Sequence, residues 1–254
     1  MKVIMTGGGT GGHIYPAIAI ADKIKRKHPE SEILFVGTRK GMEKDLVPRS
    51  GYPIRKNLLK NGKTLRDVGT GSREARAILR EFQPDLVIGT GGYVCGPVVR
   101  EAHKMGVRTF IHEQNALPGM TNKMLEPFVE RIFVSFSAAS EHFKHKEKLV
   151  VTGNPIRKSF LVSGLRDYRE RLGIRPADFV LLGFGGSRGA DKINSVMTEA
   201  AKALSGMEGV RVYFITGGTH FEKITEELKA QGIPLSGSNI TVMPYADNIH
   251  EYLL

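Results

Sequence analysis

Short apolar runs recur along this chain, and a glycine-bearing turn and a segment of helical period follow most of them. The runs predict strands at Lys2–Thr6, Ile33–Val36, Leu86–Ile88, Thr109–His112, Ile132–Ser135 and Leu149–Val151. A second series follows at Phe179–Phe184, Val210–Thr216 and Ile240–Pro244. They are short, β-branched and nearly continuous in hydrophobicity, as strands buried on both faces are. The first helical segment carries Ile14, Ala17, Ile18, Ala21 and Ile24 on one face and Asp22, Lys23, Lys25 and Arg26 on the other. Such alternation predicts an α/β fold, a parallel sheet wrapped by helices, with ligands at the carboxyl ends of the strands. The polar, glycine-bearing stretch Asn57–Ser72 shows no clear period and reads as a mobile loop.

The opening strand and loop, KVIMTGGGTGGHI, are echoed by FVLLGFGGSRGADKIN at Phe179–Asn194. A strand ends at Gly153 and Pro155 follows, so the boundary between two such units falls there. Residues 1–157 form a doubly wound domain on this reading, and residues 158–254 a smaller, incomplete one.

Charge narrows the ligands. The net charge of +11 favours phosphorylated ligands, nucleic acid or an anionic membrane surface. Nucleic acid is disfavoured, because Trp is absent and the basic residues are spread along the helices rather than interleaved with aromatics. The chain opens directly on a strand, which predicts no signal peptide, and no apolar run approaches the roughly 18 residues that span a bilayer. The single cysteine, Cys95, excludes an internal disulfide framework and reads as a packing residue.

Chemistry concentrates in loops at strand ends. In Gly7–His13, glycines lay the backbone bare to a ligand, and the helix beyond offers unpaired N–H groups. Gly7, Gly9 and Gly12 fit G-x-G-x-x-G, so a dinucleotide site is one reading. No carboxylate ends the second strand, however; Arg39 there leaves only a 2′-phosphate, NADP-like variant. His13 is the titratable side chain of the loop, a natural general base or a plain helix-start residue. GTGGYVCGP (Gly89–Pro97) carries Tyr93, and HEQN (His112–Asn115) carries Glu113. GGSRGA (Gly185–Ala190) sets Ser187 and Arg188 at a helix N-terminus, where hydroxyl, N–H and guanidinium converge on anions. No His, Cys or carboxylate pair has metal-ligand spacing, and no phosphate-binding G-x-x-x-x-G-K-[ST] loop occurs. Neither metal nor cofactor is expected.

With GGGTGGH, GGYVCGP, HEQN, GNPIR and GGSRGA in this order, the chain resembles the MurG family of bacterial N-acetylglucosaminyltransferases. The resemblance runs from Met1 to Leu254 and implies the GT-B fold, two Rossmann-like domains facing across a cleft. It implies inverting, metal-independent transfer of N-acetylglucosamine from UDP-N-acetylglucosamine to lipid I, giving lipid II for peptidoglycan, at the cytoplasmic face of the anionic inner membrane. The N-terminal domain would take the membrane-borne acceptor and the C-terminal domain the donor. Thr10, Gly11 and Gly12 would line the donor side, and His13 would be the base for the acceptor hydroxyl. Glu113 would orient the acceptor or its diphosphate, and Asn115 and Arg157 would contact the donor. Ser187 would bind the diphosphate, and the Ala246 backbone would face the uracil.

Three departures accompany the resemblance. Family members continue past Leu254 with further donor-binding residues, so weak or absent binding of UDP-N-acetylglucosamine is expected. The stretch Asn57–Ser72 is shorter than the family's linker and lacks its apolar helix, and Arg188 replaces the usual Gln. Another GT-B glycolipid transferase, an NADP-dependent oxidoreductase and a non-catalytic binding module are the competing readings.

Overall fold

The apolar runs become parallel strands in the computed structural model of the chain, which describes residues 1–57, 65–161, 165–235, 238–246 and 248–253. Contacts divide the chain into two units, Met1–Lys158 and Ser159–Leu254.

The first unit holds β1 (Lys2–Thr6), β2 (Glu32–Thr38), β3 (Ile54–Asn57), β4 (Leu86–Gly89), β5 (Arg108–Glu113), β6 (Arg131–Val134) and β7 (Leu149–Val151). They form one parallel sheet in the order β3-β2-β1-β4-β5-β6-β7. The chain winds outward through β2 and β3, then restarts at β4 on the other side of β1. Thr6 pairs with Val36 on one side and Gly89 on the other, so the loops that follow β1 and β4 emerge side by side. A doubly wound sheet opens its ligand crevice at such a reversal.

Helices α1 (Gly11–Lys27) and α2 (Glu43–Arg49) cover one face of this sheet; α3 (Leu65–Phe82), α4 (Cys95–Lys104) and α5 (Met120–Leu125) belong to the other. Strand alternation divides the core accordingly. Val3, Met5 and Phe35 pack with Ile14, Ile18 and Leu46, whereas Ile4, Val87 and Ile111 pack with Leu79, Val98 and Leu125.

The mobile-loop reading of 57–72 is corrected at its far end. Residues 65–72 open α3, and residues 58–64 lie outside those described. Gly69, Gly71 and Ser72 are weak helix formers that blur the period, and the helix is held by burial of Ala75 and Leu79 further along. Strand β3 escapes an apolar-run criterion because it is an edge strand, paired only with β2.

The second unit contains α6 (Leu165–Arg171), β8 (Phe179–Phe184), α7 (Asp191–Leu204), β9 (Val210–Ile215), α8 (Phe221–Ala230), β10 (Ile240–Met243) and α9 (Ile249–Leu253). Its sheet is parallel in the order β10-β9-β8, the arrangement of β3-β2-β1. Met197, Val212, Phe214, Leu228 and Ile240 form its core. Among the described residues no helix is long and apolar enough to cross a membrane.

Candidate functional site

In the first unit the glycine loop is pinned from beneath. The Thr6 carbonyl ends β1 and accepts from the Thr90 amide at 2.9 Å and the Cys95 thiol at 2.9 Å. Above it, the Gly8 amide donates to the Gly91 carbonyl at 3.2 Å, and the Thr90 hydroxyl donates to the His13 carbonyl at 2.8 Å. The loops after β1 and β4 are therefore one hydrogen-bonded body. Cys95 is fully buried within it, and burial pushes its thiol up to about 11 against the hydrogen bonds that pull it down. It is a packing residue, as its setting predicts.

Thr10 is the N-cap of α1, with extended φ and ψ and no side-chain cap bond. The first amides of α1, at Gly11 and Gly12, point into the loop that a ligand would approach. His13 is half-buried on the first turn, and its Nδ1 lies 3.0 Å from the Gly8 carbonyl and 3.5 Å from Thr10 Oγ1. A carbonyl only accepts, so in the neutral ring Nδ1 carries the proton and Nε2 keeps its lone pair. This is the tautomer a general base needs at Nε2.

HEQN behaves differently from its appearance in sequence. The Glu113 side chain is 1% exposed and its oxygens are saturated. Oε1 accepts from the Asn115 amide and from Asn115 Nδ2, both at 2.9 Å. Oε2 accepts from the Gly119 amide at 3.0 Å and from Asn122 Nδ2 at 2.8 Å. Glu113 thus holds the loop between β5 and α5 and aims exposed Asn115. Beside it, buried His112 donates from Nε2 to the Gly153 carbonyl at 3.2 Å and takes a bond from Gln114 on Nδ1 at 3.0 Å. Burial lowers the His112 imidazole below its ordinary range, outweighing the Gly153 carbonyl and Glu113, and keeps it neutral. Two residues past Pro155, the Arg157 guanidinium stacks on the Tyr15 ring, 4.1 Å from its centroid. Thr10, Gly11, Gly12, His13, Glu113, Asn115 and Arg157 therefore all belong to the first unit, at or beyond the carboxyl ends of its strands.

In the second unit, Ser187 is half-buried and Arg188 exposed on the loop between β8 and α7. Ala190, the N-cap of α7, is extended and supplies no side-chain cap, so the first amides of the helix are open to an anion. A β-carbon at Gly189, φ +79°, would strike the Thr216 carbonyl; the glycine allows the loops after β8 and β9 to touch. Buried Asn194 ties α7 to the same carbonyl at 2.9 Å. Ala246, 9% exposed, follows β10 at this same sheet edge. Among the described residues no three His, Cys, Asp or Glu gather as metal ligands.

Sequence reasoning did not single out Glu43, Thr90 or Tyr15. Glu43 and Thr90 act on the loop from elements distant in sequence, and Tyr15, two residues past His13, acts on the distant Arg157; only the flanking Gly37 and Gly41 hint at Glu43.

Comparison with known proteins places these features. The Glycosyltransferase family 28 N-terminal domain matches residues 3–134, and the Glycosyltransferase family 28 C-terminal domain matches residues 180–254. A protein of a Thermoanaerobacter species is 45% identical over 260 residues, spanning 99% of this chain and 71% of that protein. It is named UDP-N-acetylglucosamine--N-acetylmuramyl-(pentapeptide) pyrophosphoryl-undecaprenol N-acetylglucosamine transferase, as is a relative from Caldanaerobacter subterraneus at 44% identity, covering 97% of this chain and 69% of that one. The crystal structure of Acinetobacter baumannii MurG aligns with a TM-score of 0.64 at 25% identity, covering 99% of this chain and 68% of that one. A UDP-GlcNAc 2-epimerase from Neisseria meningitidis bound to UDP-GlcNAc aligns with a TM-score of 0.67 at 15% identity, covering 100% of this chain and 75% of that one. At that identity it shares the fold alone.

Proposed function

This chain belongs to glycosyltransferase family 28, and from that membership we infer that it transfers N-acetylglucosamine from UDP-N-acetylglucosamine to lipid I, giving the lipid II of peptidoglycan synthesis. The fold is GT-B, with two Rossmann-type units. The observation that carries the mechanism is His13, whose Nδ1 is committed to the Gly8 carbonyl.

On this reading the first unit takes the acceptor. Nε2 of His13 removes the proton from the acceptor sugar hydroxyl as that oxygen attacks the anomeric carbon. A new C–O bond forms on one face while the bond to the UDP oxygen breaks on the other, which inverts the centre. Abstraction by a positioned base contributes about 10²–10⁴-fold. The second unit takes the donor. The open amides of α7 with Ser187 gather the charge that builds on the departing diphosphate, as preorganised donors do. The Ala246 backbone faces the uracil, and Asn115 and Arg157 contact the donor. Thr10, Gly11 and Gly12 line the donor path, and Glu113 contributes by holding Asn115 in place. The acceptor's polyprenyl anchor and the net charge of +11 support peripheral docking at the cytoplasmic face of an anionic membrane on this reading.

The test is transfer of labelled N-acetylglucosamine to lipid I by a version of the chain that carries the donor-binding residues expected past Leu254. His13→Ala is expected to lower the rate at least about 10²-fold with the fold retained. An unchanged rate would sink the base assignment.

A further inference from the structure

Glu43 lies on the first turn of α2 and is 0% exposed, yet the proposed chemistry makes no use of it. Its oxygens are met by the Thr38 amide at 2.7 Å, the Thr38 hydroxyl at 2.6 Å and the Gly9 amide at 3.0 Å. The chain makes room for it from three directions. A β-carbon at Gly8 would lie 2.5 Å from Oε1, one at Gly37 2.5 Å from Cγ, and one at Gly41 would overlap Oε2. Two glycines that flank Glu43 in sequence and a third from the distant β1 loop are thus shaped around one side chain.

The partner of that carboxylate matters more than its burial. The Gly9 N–H and the Gly8 C=O belong to one planar peptide and point in opposite directions. The N–H end donates to Glu43 Oε2, and the C=O end accepts from His13 Nδ1. Carboxylate, peptide and imidazole therefore form a continuous hydrogen-bonded chain. Hydrogen bonds in series polarise one another. A carboxylate on the N–H end makes the Gly8 oxygen a stronger acceptor and resists rotation of the peptide plane. Both effects keep the Nδ1 proton in place and leave Nε2 bare.

We propose that Glu43 is a positioning residue for the glycosyl transfer, acting on His13 through the Gly8–Gly9 peptide. The relation is that of a carboxylate behind a catalytic histidine, with one peptide interposed. The proposal rests on His13 being the base, but its test needs no turnover. Loss of transfer in His13→Ala tests the base, and the ring tautomer tests the chain, so either can fail alone.

The experiment is NMR of the 254-residue chain, with ¹⁵N-labelled histidine and glycine. In the unaltered protein His13 is expected as a single Nδ1–H tautomer, with the Gly9 amide proton shifted downfield. In Glu43→Gln the side-chain oxygen keeps its two Thr38 bonds, which turns the NH₂ against the Gly9 N–H. The Gly9 proton should move upfield, and His13 should become a mixture of tautomers. Thr38→Val is the control: it removes one bond to the carboxylate, lowers the unfolding temperature and should leave Gly9 and His13 as they were. Should Glu43→Gln fail to fold, His13→Ala serves, since loss of the ring donor should move the Gly9 proton upfield from the other end. An Nε2–H tautomer in the unaltered protein overturns the proposal. So does a Gly9 proton indifferent to both Glu43→Gln and His13→Ala, or a Thr38→Val variant that shifts His13 as Glu43→Gln does.

Discussion

Gly91 has φ +108°, and a β-carbon there would sit 2.8 Å from Cδ2 of His13. The residue is glycine for two independent reasons, backbone conformation and the space an imidazole needs. Gly91→Ala is therefore expected to push the ring off the Gly8 carbonyl and to lower transfer by about 10²-fold, the scale of a misplaced base. Circular dichroism should show the fold retained while the transfer assay shows the loss. Cys95, four residues on, makes the opposite point. Its thiol is buried, is raised to about 11 and bonds the Thr6 and Gly91 carbonyls. It should resist alkylation by iodoacetamide at pH 8 until denaturant is added; rapid labelling of the native chain would count against this packing. Glu113 shows what residue type alone conceals. A carboxylate beside a strand end reads as chemistry, yet its four hydrogen bonds are spent on the following loop and on Asn122 of α5.

Helices α3 and α4 are joined by a carboxylate of another kind. Glu101 on α4 is 1% exposed and takes two bonds from Arg76 of α3, at 2.9 and 2.7 Å, and one from Lys104 at 2.8 Å. Burial alone would raise its pKa, but the hydrogen bonds and charges of Lys104 and Arg76 outweigh it, so the folded value lies below the ordinary 4.5. A depressed acid stabilises the fold fully above its unfolded pKa and loses that contribution as pH falls through the folded value. Resistance to denaturant should accordingly weaken below about pH 4.5, and Glu101→Gln should flatten that part of the profile. Arg76→Ala should cost about 1–3 kcal/mol at neutral pH, because it leaves a buried acceptor short of a donor. Helix α3 also marks where local pattern fails. Its glycine-bearing start resembles a loop, and packing of Ala75 and Leu79 under α4 makes it a helix.

Among the described residues each unit carries an apolar core of its own, two clusters in Met1–Lys158 and one in Ser159–Leu254. Phe214 is fully buried in the latter, and Phe214→Ala should destabilise that unit by about 3–5 kcal/mol. Hydrogen exchange should then rise across residues 165–253 while peptides covering β1, β4 and Cys95 keep their protection. Exchange rising equally in both units would show that they unfold as one. The sequence by itself determined the α/β class and the positions of nearly all the strands. It also determined the glycine loops at their ends, because buried parallel strands must be continuously apolar and close backbone turns must be glycine. These are local demands, written in neighbouring residues. Only the tertiary structure decided that β3 closes one sheet edge and that 65–72 is helical. It also decided that the Glu113 oxygens bond Asn115, Gly119 and Asn122 and that Glu43 reaches the histidine loop. Those outcomes depend on packing and hydrogen bonds between separate elements, Gly9 and Glu43 being 34 positions apart, and no local pattern records them.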